Sequence, residues 1–148
     1  MESQNKVTIA ALIGCISIYG ITSSLLTPLI SIILEHRKVD TTIIGVMAMI
    51  APAGLIIGAF FVSKIMRNLA GRKLLILGII FEILLVFALI NTQSIELWFL
   101  IRFFGGFADS ILFVVTETWL MEITSRKKRG RIMGFYNSIM MMSFAIGP

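Results

Sequence analysis

Chemically reactive side chains are scarce in this sequence. Its 148 residues include one cysteine, Cys15, and one histidine, His36. A lone cysteine excludes an internal disulfide, and no His/Cys metal-ligand spacing is present. No glycine-rich phosphate loop and no Ser/His/Asp set is present, so the chain reads as a non-enzyme without metal or cofactor. Charge is sparse as well: Asp, Glu, Lys and Arg make up 14% of residues, against 57% hydrophobic. Soluble domains carry roughly 45–50% apolar residues, and here the mean hydropathy reaches +0.97.

The apolar residues gather in five runs, Val7–Leu34, Thr42–Met66, Leu74–Ile90, Leu97–Leu120 and Ile132–Pro148. Each is close to or above the ~17–25 residues that cross hydrocarbon as a helix, which predicts an all-α, multi-pass protein of the cell membrane with the lipid bilayer as its first partner. The net charge of +5 is unevenly placed. Lys6 precedes the first run; Lys64, Arg67, Arg72 and Lys73 lie between the second and third; Arg126, Lys127, Lys128, Arg129 and Arg131 lie between the fourth and fifth. The alternate loops hold only Arg37 and Lys38, offset by Glu35 and Asp40. By the positive-inside rule the N-terminus is cytoplasmic, and the basic excess signals topology, not nucleic acid. "LIGC" at Leu12–Cys15 has the form of a lipoprotein cleavage box, but the apolar run continues for nineteen residues beyond the cysteine, which favours a span.

Polar residues inside the runs are patterned. In the first, Ser17, Gly20, Ser24, Thr27 and Ser31 keep to one helical face, either looking into the protein or forming a packing seam, and Pro28 is expected to bend the helix. In the second, Gly54 and Gly58 match the small-xxx-small spacing of closely packed membrane helices. Glu82 sits near the middle of the third, open to a structural role or a proton-carrying one. Met140–Met142 read as adaptable packing rather than as a copper site.

The fourth run carries three charges. At 100° per residue, Arg102, Gly105, Gly106, Asp109, Phe113, Thr116 and Glu117 fall within about a third of the circumference. Three charges at ~2.5–3.5 kcal/mol each for a central position would equal or exceed the ~4–8 kcal/mol gained from the surrounding Leu, Ile, Phe and Val residues. This face is therefore expected to meet protein or a water-filled cavity. Arg102 and Asp109 are about 10 Å apart along the axis and Asp109 and Glu117 about 12 Å, which makes them successive stations along a substrate or proton pathway. Snorkelling or pairing with another helix is the alternative for Arg102 and Glu117.

These residues also carry a resemblance. "LWFLIRFFGGFADS" resembles the fourth-helix motif of the major facilitator superfamily, with Arg102 and Gly106 on its principal positions. "RNLAGRK" resembles that superfamily's cytoplasmic loop signature, with Gly71, Arg72 and Lys73 matching and Asn68 standing where an aspartate is usual. Pro28, "RKKRGRIMGFY" and the terminal "AIGP", whose Gly147 and Pro148 are similar to the start of the antiporter signature, fit the same order. The resemblance implies a helical bundle of twelve spans in two halves built from inverted repeats, with substrate bound between the halves. It places this chain in the first five helices of the N-terminal half, as a fragment whose partners are the remaining helices of the same transporter. The implied function is secondary, proton-coupled transport of a small solute through a path that includes Arg102, Asp109, Glu117, Ser24 and Thr27, gated by the loop of Asn68, Gly71, Arg72 and Lys73. Two other readings are carried: a non-transporting remnant or small helix-associating membrane protein, and a small four-helix drug exporter. The last depends on an acid in its first helix, and the first run has none.

Overall fold

The computed structural model describes residues 2–146, so Gly147 and Pro148 lie outside the described residues. Five helices follow one another: α1 (Glu2–His36), α2 (Thr41–Ile65), α3 (Gly71–Asn91), α4 (Ile95–Ile123) and α5 (Arg129–Ile146). No strand occurs among the described residues. Each apolar run becomes a helix, because a chain in hydrocarbon must satisfy its own backbone donors and acceptors. Four helices are long and apolar enough to cross a membrane: Val7–His36, Thr41–Ile65, Gly71–Asn91 and Ile95–Ile123. Over its described residues α5 is not among them. It begins three residues before the predicted span and takes Arg129 and Arg131 into its first turn.

The connections are short, and their chemistry explains where the helices stop. Asp40 caps α2 by accepting a hydrogen bond from the Thr42 N–H at 2.8 Å. Hydrogen bonds from Thr42, led by its side chain, hold the exposed Asp40 carboxyl below the usual carboxylate range. Lys38, in the turn just before, takes a positive φ of 58°. Arg37 donates to the Gln93 carbonyl at 3.0 Å and lies 4.8 Å from the centre of the Trp98 ring, while the Trp98 indole N–H donates to the Thr92 carbonyl. The α1–α2 and α3–α4 connections are thereby clasped together. At the end of α4, Arg129 Nε donates to the Met121 and Thr124 carbonyls, placing a cation where the helix leaves its acceptors open.

The chain divides into two compact units, Met1–Ile33 with Thr116–Pro148, and Leu34–Val115. In the second unit α4 is the shared packing element. Gly54 and Gly58 of α2 let that helix approach the α4 backbone: a Cβ on Gly54 would meet the Phe103 carbonyl oxygen, and one on Gly58 would meet the Ser110 hydroxyl. Gly106 reciprocates from α4, where a Cβ would meet the Ala51 carbonyl oxygen and lie 3.0 Å from Ala51 Cα. The small-xxx-small pattern is thus a backbone contact between α2 and α4. On the other side, α3 runs antiparallel to α4: Gly71 lies against Val115, Gly78 against Ile111, and the Phe81 ring stands edge-on to Phe104 with centroids 6.4 Å apart. In the first unit, Gly20 of α1 abuts Ser143 of α5, where a Cβ would come within 2.8 Å of Ser143 Cβ, and Tyr19 stacks edge-on against Phe144.

Candidate functional site

Arg102 and Asp109 each lie three and four residues from the adjacent pair Gly105 and Gly106, so the four share a face of α4. Phe103, Phe107 and Ser110 meet α2, and Phe104, Ile111 and Val115 meet α3. The arc between these flanks holds Arg102 and Asp109, both half-buried. Gly106 borders the arc where Ala51 approaches, and Gly105 borders it where the carboxylate of Glu82 approaches, Oε2 lying 3.9 Å from the position of a Gly105 Cβ. Protein therefore covers both edges of the polar face, as the cost of bare charges in hydrocarbon requires.

Glu82 is the residue that sequence reasoning noticed but left out of the path. Its Oε2 is buried with no hydrogen-bond partner among the described residues, and the carboxyl is within electrostatic reach of Arg102. The available signal was charge complementarity: one acid in the third run and one base in the fourth, each well inside its apolar segment. Glu117 falls in the other unit, half-buried, where it interacts electrostatically with Tyr136 of α5. Tyr136 is fully buried, and its hydroxyl has no hydrogen-bond partner among the described residues.

Ser24 and Thr27 also belong to the first unit. Their hydroxyls donate within α1, Ser24 to the Ile21 carbonyl and Thr27 to the Ser23 carbonyl; Ser17 and Ser31 donate to Ile13 and Thr27 in the same way. Pro28 lies inside the same helix, and Pro52, not singled out in the sequence, lies inside α2. The loop residue Asn68 is exposed, as are Arg72 and Lys73, which start α3 with Gly71. At Gly71 the loop meets α4, where a Cβ would stand 3.4 Å from Val115 Cγ1.

The sequence pattern of the Major Facilitator Superfamily matches residues 12–148, nearly the whole chain. The chain belongs to that superfamily. Within it, the chain is 34% identical over 137 residues to the uncharacterized MFS-type transporter YfkF of Bacillus subtilis (strain 168), covering 93% of this chain and 35% of that protein. It is 25% identical over 150 residues to Multidrug resistance protein 1 of the same organism, covering 100% of this chain and 38% of that protein. The chain thus spans little more than a third of the length of these relatives. No solved structure gives a significant match. Membership accounts for an all-α chain with four apolar helices of membrane-spanning length, and in this superfamily member the fourth-helix arginine stands on the arc that α2 and α3 leave between them.

Proposed function

We propose that the chain supplies the leading helices of a secondary transporter that moves a small solute across the cell membrane by alternating access, coupled to protons through Asp109. The observation that carries this is the polar arc of α4, where Arg102 and Asp109 lie at successive depths between the α2 and α3 contacts. Intramembrane charges are expensive and mark substrate or proton paths. Glu117, Ser24 and Thr27 extend the path, and Asn68, Gly71, Arg72 and Lys73 form its cytoplasmic gating loop. The remaining helices of the same transporter are the partners against which these helices rock. The relative named for multidrug resistance directs the first choice of solute to drug-like compounds.

An imposed pH gradient is expected to drive movement of at least one compound from a panel of fluorescent drug-like cations in membrane vesicles from cells carrying the gene. A protonophore should abolish that movement. Vesicles that behave identically to those from a deletion strain, with and without the gradient, would count against the proposal.

The proposed orientation puts the N-terminus and the two basic connections in the cytoplasm, with α5 crossing as a fifth span. In a Cys15→Ser background, a cysteine at Lys127 should react with a membrane-impermeant maleimide only after the cells are opened, and one at Gln93 should react in intact cells. Labelling of the Lys127→Cys protein from outside would invert the topology.

A further inference from the structure

Glu82 has a definite place in the packing and no role in the path described so far. It lies on α3 between Phe81, whose ring meets Phe104, and Ile83, which points away from the protein. The antiparallel run of contacts brings Gly78 to Ile111, Phe81 to Phe104 and Glu82 to Gly105. Arg102 stands one turn before Gly105 on the same face of α4. Gly105 has no side chain, and the space a Cβ would occupy faces the Glu82 carboxylate at 3.9 Å. That carboxylate oxygen is shielded from solvent, without a hydrogen-bond partner among the described residues.

We propose that Glu82 is the countercharge that holds Arg102 inside the membrane: a positioning residue, donated by α3, whose carboxylate reaches α4 beside Gly105. This deepens the pathway reading of Arg102 and rests on it only for what the arginine does, not for how it is held. A guanidinium and a carboxylate at this depth each need an opposite charge, and removing one partner of such a pair leaves the other uncompensated. Removing both leaves neither exposed to that cost.

The test is a charge cycle read as the steady-state amount of protein in the membrane and its thermal unfolding temperature after extraction. The variants are made at the chromosomal locus, with the rest of the locus untouched. Glu82→Gln keeps size and shape, so a packing role predicts no change, whereas a charge role predicts a several-fold lower amount. Arg102→Gln should lower it similarly. Glu82→Gln with Arg102→Gln should recover most of the loss, and the swapped pair Glu82→Arg with Arg102→Glu should exceed Glu82→Arg alone. A double variant whose loss equals the combined losses of the two single variants would overturn the pairing, as would a wild-type amount of the Glu82→Gln protein. Because none of these readings requires a solute, they hold or fail independently of proton-coupled transport.

Discussion

Gly106→Leu is expected to remove the protein from the membrane almost completely. At this position even a methyl group would collide with the Ala51 carbonyl oxygen of α2, and with Ala51 Cα at 3.0 Å. The obstacle is backbone, which cannot rotate aside as a flexible side chain does, so α2 and α4 must separate. Overpacking typically costs about 1–3 kcal/mol where side chains can adjust, and separation here would also open the contacts of Gly54 and Gly58. Membrane helices have no water-driven attraction to restore the loss, because their association rests on close packing itself. Gly134→Leu on α5 is the matched control, since nothing lies within 4 Å of its Cβ position. Immunoblotting of membranes should show at least an order of magnitude less of the first protein than of the second. Equal amounts would mean that the α2–α4 approach is looser than described.

Asp109→Asn is expected to abolish proton-linked transport while leaving the protein inserted and folded. The substitution keeps the shape and the polarity of the side chain and removes only its ability to gain and lose a proton. The half-buried setting of Asp109, on the arc that neither α2 nor α3 fills, allows an amide to fit where the carboxyl fits. Vesicles carrying the variant should match the parent protein in amount and lose the response to an imposed pH gradient. An undiminished gradient response in the Asp109→Asn protein would reassign Asp109 to packing.

The helices and their approximate limits were legible because hydrophobic length is a one-dimensional property of the chain. The charged face of α4 was legible for a related reason: a helical face is fixed by residue spacing, and three charges in an apolar run are hard to miss. Partner choice was not legible. Lipid and leucine are equally apolar, so composition does not say which helix another helix touches. Gly78 against Ile111 carries no spacing signal, the face that holds Gly20 does not name Ser143 as its partner, and Glu82 acquires meaning only once α3 is laid beside α4. The start of α5 moved for another reason. The basic residues from Arg126 to Arg131 read as loop on hydropathy, yet Arg129 and Arg131 are helical, because a helix can continue past the point where its side chains stop being apolar.

The hydroxyls of α1 have a chemical consequence of their own. Ser17, Ser24, Thr27 and Ser31 each spend their single hydrogen on a carbonyl of the preceding turn. A hydroxyl has one hydrogen to give and two lone pairs to receive with, so what these four residues turn outward is oxygen that can only accept. A face built from serine and threonine would ordinarily suit donors and acceptors alike. As bonded here, the hydroxyls offer lone pairs that can receive a hydrogen without breaking a bond of the helix, whereas an anion would have to draw their hydrogens away from the α1 carbonyls.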